Sequence, residues 1–277
     1  MTGQLLLSII IPTKNEEANI QRLLSSILNS PSFDSSMIEV IVIDNPDTTD
    51  QTREIVASYE NVKLLIIGPE RSSQRNLGAD NAIGNCLLFL DADMVMTEEL
   101  LTETLAIIKQ AGANYKAWII KERVPGSSLH CRARNLEKTL YDNNLLICAP
   151  RLMSKQVFQR AGGYQTSMIA GEDWNLRDKL IQNQVQINFL KSFLSHHEEN
   201  LGFFGSIGKK VYYAQKLENY NPGLSIEINP IYRFGVLLSQ SKLILRYPIV
   251  WFYLILLKSC EFMAGFVVYF WIRINKS

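Results

Sequence analysis

From residue 5 to about residue 111, short β-branched apolar runs alternate with segments of helical periodicity, a pattern few architectures accept. Leu6 to Ile11 is apolar except for Ser8, as a strand buried on both faces requires, and Asn15 to Leu28 sets Ile20, Leu23, Leu24, Ile27 and Leu28 at helical spacing. The unit recurs. Ile38 to Ile43 precedes a predicted helix from about Asp50 to Tyr59, Val62 to Ile67 precedes one from Ser72 to Ile83, and Cys86 to Leu90 precedes one from Glu98 to Ala111. Such alternation predicts an α/β fold with a mostly parallel central sheet, right-handed crossovers and helices on both faces. Ligands in these sheets lie beyond the carboxyl ends of the strands. The segments Pro12 to Glu16, Asp44 to Asp50, Pro69 to Arg75 and Asp91-Ala92-Asp93 are therefore expected to converge on one crevice.

The middle of the chain is less regular. Trp118 to Val124, Leu145 to Pro150 and Val185 to Leu190 are predicted strands, and Leu129 to Asp142, Ser154 to Ala161 and Glu172 to Asn183 predicted helices. No Gly/Ser linker or internal repeat interrupts residues 1 to 200, which are expected to form one domain. With 47% hydrophobic and 20% charged residues among 277, the chain can fill a core, which excludes a disordered or collagen-like protein. Its four cysteines lie far apart without a CxxC pair, so buried reduced thiols are expected rather than a disulfide scaffold or zinc site. The apolar run at the start has no basic segment before it and ends at Pro12-Thr13-Lys14-Asn15-Glu16, which makes it a strand, not a signal peptide.

Net charge is +1, but the average conceals a division: residues 201 to 277 hold nine Lys or Arg against three Glu. This tail is also strongly apolar. Its uncharged stretches, Tyr247 to Leu257 and Phe262 to Ile272, are each shorter than the roughly 20 residues a spanning helix needs, so a helical hairpin or in-plane helix is favoured over a single span, which a tilted helix still permits. Lys258 and Glu261 lie three apart and on a helix could pair. Trp251, Tyr253, Tyr269 and Trp271, with Arg246 and Arg273, have the character of interfacial anchors. The expectation is a catalytic domain over 1 to 200 and a membrane-associating tail over 201 to 277, peripheral or monotopic on the cytoplasmic face through residues 240 to 277. The basic residues are dispersed rather than gathered on a recognition helix, so nucleic acid is not an expected partner.

Asp91-Ala92-Asp93 is the sharpest chemical signal. Two carboxylates at a strand's carboxyl end repel unless a cation lies beside them, and a divalent metal is the natural partner; the bland alternative is a solvated turn. Asp44 also ends a buried strand, where it could accept from a base N–H or a ribose hydroxyl, while Asp50 and Thr13 to Glu16 have sufficient reason as helix caps.

In order along the chain, Ile9-Ile10-Ile11-Pro12-Thr13-Lys14-Asn15-Glu16, Val42-Ile43-Asp44-Asn45, Arg75-Asn76-Leu77-Gly78 and Phe89-Leu90-Asp91-Ala92-Asp93, followed by Ala161-Gly162-Gly163-Tyr164 and Gly171-Glu172-Asp173-Trp174, resemble a membrane-associated family 2 glycosyltransferase of the GT-A fold. The resemblance covers about residues 5 to 200. It implies a nucleotide-diphospho-sugar donor with Pro12, Thr13 and Glu16 around base and ribose and Asp44 on the base. In the Asp91-Ala92-Asp93 turn, Asp91 would meet the ribose and Asp93 a Mg2+ or Mn2+ ion that bridges the diphosphate. Arg75, and less directly Arg71, would add positive charge. Asp173, beside Glu172, inherits the role of general base on an acceptor hydroxyl, with inversion at the anomeric carbon. His196 or His197 corresponds to a further metal or phosphate ligand, with Glu198 placed to orient the imidazole. The loop Asn45 to Asp50 departs from the family's usual glycine and serine, and Lys209-Lys210-Val211-Tyr212-Tyr213 stands where processive synthases carry Gln-x-x-Arg-Trp. Transfer of a single sugar to a lipid-linked or saccharide acceptor is thus expected over polymer extrusion. Two rivals belong to other classes. A sugar-nucleotide pyrophosphorylase needs a Gly-rich basic loop after its first strand, which Pro12 to Glu16 is not; a non-catalytic nucleotide-sugar-binding module would bind donor without turning it over.

Overall fold

Seven consecutive buried residues make β1 (Leu7–Thr13), the strand around which the first part of the chain is built. β2 (Ile38–Asp44) and β4 (Cys86–Phe89) flank it in parallel, with Ile10 opposite Ile41 on one side and Phe89 on the other, and β3 (Val62–Ile66) lies parallel beyond β2. The crossovers carry α1 (Ile20–Leu28), α2 (Thr52–Ala57) and α3 (Arg71–Asn81). Alternate side chains of β1 enter two cores. Ile9 and Ile11 pack with Leu23, Leu24 and Ile27 of α1, whereas Ile10 packs with Ala79 of α3 and with Val157 and Phe158 of α6 (Lys155–Arg160). The structure, a computed structural model, describes residues 6–111, 116–198, 202–216, 230–239 and 245–276.

The parallel half accords with the alternation in the sequence; the far half is antiparallel. β5 (Met94–Met96), β6 (Lys116–Arg123), β7 (Leu152–Ser154) and β8 (Gln186–His196) complete the order β3-β2-β1-β4-β7-β6-β8-β5. β4 with β7, β6 with β7 and β5 with β8 all pair antiparallel. Strand order reverses between β1 and β4, the position at which an α/β sheet opens a ligand crevice.

Three sequence expectations are corrected. The first helix begins at Ile20, not Asn15, because Asn15 adopts a left-handed φ of 55° that a helix does not accept. Leu145 to Pro150 is not a strand: the amides of Ile147 and Cys148 both bond the Asn144 carbonyl and close a turn. The tail is not a hairpin, since one helix, α10 (Pro248–Lys276), runs unbroken through Lys258 and Glu261.

Two compact units result. The first comprises Met1–Lys121, Ala149–Thr166 and Glu172–His196; the second comprises Glu122–Cys148, Ser167–Gly171 and His197–Ser277, so it includes more of the chain than a cut at residue 200 provides. In the second unit, α5 (Leu129–Leu140), α8 (Gly202–Lys216), α9 (Pro230–Leu238) and α10 pack together, with Ala133, Leu136, Leu140, Leu237, Val250 and Leu254 in their core. A buried ion network joins α5, α8 and α10. Lys258 Nζ donates to Glu137 Oε1 at 2.7 Å and to Glu261 Oε2 at 2.5 Å, Arg134 holds Glu137 and Glu198, and Lys209 holds Glu198 at 3.0 Å. With Lys258 and Glu261 paired inward, α10 presents Ile249, Phe252, Leu256, Met263, Phe266 and Val267 to the outside. Pro248–Val268, 21 residues of mean hydropathy 1.6, is long and apolar enough to cross a membrane. The side chains of Tyr269 and Arg273, expected as anchors, lie outside the described residues, as do Glu199 and residues 217–229 and 240–244.

Candidate active site

The carboxyl ends of β1 and β2 are fastened to each other. Asp44, fully buried, accepts from Thr13 Oγ1 at 2.8 Å, Thr48 Oγ1 at 2.9 Å and Arg53 Nε at 2.7 Å. Asp44 ends β2, as the sequence suggested, and its carboxylate is enclosed by chain donors. Thr13 is likewise buried and donates to Asp44, and Pro12 is buried within β1. The two loops are stitched further by Asn15 Oδ1, which accepts from the Thr49 amide, and by Asp50, which accepts from the amides of Glu17 and Thr52. The expected helix-capping role of Asn15 is thus replaced by a link between loops.

The centre of the site is Arg75, 1% exposed, on the inner face of α3. Its Nη2 donates to Asp91 Oδ1 at 2.7 Å; its Nη1 donates to Asp173 Oδ1 at 3.1 Å and Glu172 Oε1 at 3.3 Å. The guanidinium lies 5.0 Å from the centre of the Tyr164 ring. Burial opposes the charged form, but the charges of Asp173 and Asp91, then Glu172, outweigh it and hold Arg75 well above its ordinary pKa. Arg75 is therefore neither a solvated helix residue nor open to a diphosphate; it organises the carboxylates.

Two close approaches make this placement possible. Gly78, one turn beyond Arg75, sits so near the sheet that a Cβ would stand 2.5 Å from Ile10 Cγ2 and 2.7 Å from Ile43 Cδ1. Gly163 has φ +65°, and a Cβ there would meet Asn76 Oδ1 at 2.8 Å. Asn76 donates to the Tyr164 carbonyl and accepts from its amide, both at 2.9 Å, which holds the aromatic ring against Arg75.

Asp91 has a second guanidinium, Arg151 Nη1 at 3.2 Å. Nothing in the sequence singled out Arg151; it stands alone before Leu152-Met153 without motif or periodicity, and only the pairing of β4 with β7 brings it here. Burial would raise Asp91, but Arg151 and Arg75, with Arg71 and His196, hold it well below the usual carboxylate range. Arg71, exposed by comparison, reaches Glu172 Oε1 at 3.3 Å. Burial first, then neighbouring Asp173, push Glu172 above the usual range.

Asp93 follows Asp91 across buried Ala92. Met94 pairs with His196 across β5 and β8, and this register brings His196 Nε2 to 3.2 Å from Asp93 Oδ2. Of the two histidines it is His196 that the sheet carries to Asp93; His197 begins the next segment of the second unit. Glu198, expected behind an imidazole, accepts from Arg134 and Lys209. Asp93 Oδ1 is buried with no hydrogen-bond partner, an arrangement a divalent cation would satisfy. Among the described residues no group of three or more His, Cys, Asp or Glu forms a cage, but Mg2+ and Mn2+ are commonly held by one or two protein ligands together with substrate phosphates. Glu16 lies near enough that burial, then Asp93 and Asp91, raise its pKa against a hydrogen bond from Asn19.

Residues 8–156 match the sequence model of the glycosyl transferase family 2. The chain is 24% identical over 221 residues to the glycosyltransferase AglE of Haloferax volcanii, covering 76% of this chain and 71% of that protein. It is 27% identical over 227 residues to the poly(ribitol-phosphate) beta-N-acetylglucosaminyltransferase TarS of Staphylococcus aureus, of which it spans 36%. Among solved structures, TarS 1-349 superposes with a TM-score of 0.58 at 18% identity, covering 98% of this chain and 92% of that one. The mannosyltransferase PcManGT of Pyrobaculum calidifontis, in complex with GDP-Man and Mn2+, superposes at 0.64 and 16% identity, covering 96% and 87%. At these identities the superpositions establish a shared fold.

Proposed function

We propose, from the premise that this chain belongs to the glycosyl transferase family 2 and is a glycosyltransferase, that it moves one sugar from a nucleotide-diphospho-sugar to a lipid-linked or membrane-proximal acceptor with inversion at the anomeric carbon. The observation that carries the reading is a single buried guanidinium joining Asp91, at the end of β4, to Glu172 and Asp173, at the start of α7 (Glu172–Gln182). One charge thereby sets the donor end and the acceptor end of the crevice in fixed relation.

Asp173 is the general base. Arg75 occupies its Oδ1, and the side chain is 39% exposed, so Oδ2 is free to take the proton of an acceptor hydroxyl. The hydroxyl oxygen then bonds to the anomeric carbon as the bond to the diphosphate breaks, and the nucleoside diphosphate departs. Arg71 and Arg151 are the guanidiniums offered to the diphosphate, and the Thr13 to Glu16 loop, fixed through Asp44, lines the base and ribose side. Asp93 and His196 would hold Mg2+ or Mn2+, which offsets the charge that develops on the leaving diphosphate. PcManGT in complex with GDP-Man and Mn2+, and TarS in complex with UDP-GlcNAc, share this fold and support a donor of that class. The outward apolar face of α10 supports a membrane-proximal acceptor.

Incubation with Mn2+ and a panel of nucleotide sugars should reveal slow hydrolysis of one donor and name the sugar. Asp173→Asn should lower transfer by about 10² to 10⁴, the usual worth of a positioned base, while donor affinity measured by calorimetry stays nearly unchanged. Retained turnover would remove Asp173 from the mechanism.

A further inference from the structure

The ion network of the second unit does not extend to its neighbour Lys210. Glu137, Glu198 and Glu261 are taken by Arg134, Lys209 and Lys258. Lys210, the next residue along α8, has no carboxylate partner among the described residues. Its stem lies along Gly265 of α10, where a Cβ would stand 3.8 Å from Lys210 Cγ and 3.9 Å from Cε, and its ammonium is 5.9 Å from the centre of the Phe262 ring. Burial, then the like charges of Arg233 and Lys258, push Lys210 down to about 8 against the opposing pull of Glu261 and Glu137. A desolvated ammonium crowded by cations is a place an anion would relieve.

A second observation falls at the same place. The Arg233 guanidinium, on α9, covers the Tyr141 ring at 5.5 Å, and Tyr141, 6% exposed, has a hydroxyl with no hydrogen-bond partner. The Phe262 ring over which Lys210 lies is in turn 5.3 Å, centre to centre, from the ring of Phe234, the residue next to Arg233. Two cations and an orphaned buried hydroxyl therefore come together where α5, α8, α9 and α10 pack. Planar guanidinium, point ammonium and phenol O–H are a donor set suited to the several oxygens of a phosphate group.

We propose that Lys210, Arg233 and Tyr141 form a binding site for the phosphomonoester headgroup of a membrane lipid. The lipid source follows from α10: the helix along which Lys210 lies is the one that exposes Phe252, Leu256, Met263 and Phe266, so acyl chains have an apolar surface beside the headgroup. The site rests on the membrane reading of α10 and not on the roles of Asp173 or Asp93, so donor turnover and lipid binding succeed or fail separately.

Full-length protein should be co-sedimented with phosphatidylcholine vesicles, with vesicles containing phosphatidic acid, and with vesicles matched in charge by phosphatidylglycerol, whose phosphate is a diester. The expected result is preference for phosphatidic acid, reduced about fivefold by Lys210→Met, the factor one basic group near an anionic surface contributes, with binding to neutral vesicles unchanged. Tyr141→Phe, which removes only the hydroxyl, should lower the same preference while leaving the thermal midpoint near that of the parent, and Lys210→Arg should keep most of it. Equal binding to phosphatidic acid and phosphatidylglycerol, or no loss in Lys210→Met, overturns the site. Inorganic phosphate that raises the melting temperature of the parent but not of Lys210→Met, without any phosphatidic acid preference, overturns the lipid source in favour of a soluble anion.

Discussion

Arg75 meets three carboxylates with one charge, and a second cation, Arg151, is needed to balance Asp91. The cost of removing either guanidinium is set by what it leaves behind, an uncompensated buried carboxylate. Because the folded state depresses the pKa of Asp91 well below its ordinary 3.8, the ion pairs contribute their full stabilisation above that value, and the contribution is lost progressively as pH falls from it toward the depressed folded value. The thermal midpoint should therefore drop as pH is lowered from about 4 to about 2, and Arg151→Met, with a less depressed Asp91, should level off sooner and show a shallower drop over that interval. Identical slopes in a scanning calorimeter would detach Arg151 from Asp91. The acidic members of this cluster were legible in the sequence, because carboxylates at the end of an apolar strand or opening a helix are conspicuous. Their common partner was not, since Arg75 stands 16, 97 and 98 positions away from them and its burial is a property of packing. Arg151 carried no sequence signal at all, and the enclosure of Asp44 by Thr13, Thr48 and Arg53 depends on loop contacts that no spacing specifies.

The elements found in advance were those whose burial writes a period into the sequence. β1 and β2 are buried on both faces and appear as continuous apolar runs, and α1 shows its one buried stripe at Ile20, Leu23, Leu24 and Ile27. β5 is only three residues long, too short to show a period, yet its register with β8 sets His196 beside Asp93. The break expected in α10 at Lys258 and Glu261 does not occur because partners on another helix, Glu137 and Arg134, neutralise both. At Gly78 α3 lies so near Ile10 and Ile43 that a methyl group there should push the helix outward. Gly78→Ala is expected to cost about 1 to 3 kcal/mol in urea unfolding, the usual range for overpacking, and to lower turnover further by displacing Arg75 one turn away. Stability within a few tenths of a kcal/mol of the parent would show that Ile10 and Ile43 yield freely.

For the molecule as a whole, the basic balance of the tail explains less than the arrangement of its charges. Lys209 and Lys258 are held by carboxylates within the second unit, so the count of nine basic residues overstates what a lipid surface would feel. The stronger argument is the inversion of α10, whose Lys258 and Glu261 face inward while large apolar side chains face out. Phe252→Ser combined with Phe266→Ser should move the protein from the vesicle pellet to the supernatant with little change in thermal midpoint, since both side chains are more than 60% exposed. Continued sedimentation would rule out α10 as the surface that binds vesicles. The charge cluster of the first unit also bears on how the protein is made. Arg75 and Asp91 leave the ribosome close together, but Glu172 and Asp173 follow Arg75 by 97 and 98 residues, roughly 5 to 20 seconds of translation. Throughout that interval the nascent chain carries an arginine whose counter-charges are incomplete, so the cluster at the end of β4 reaches its final electrostatic balance only when α7 is synthesised.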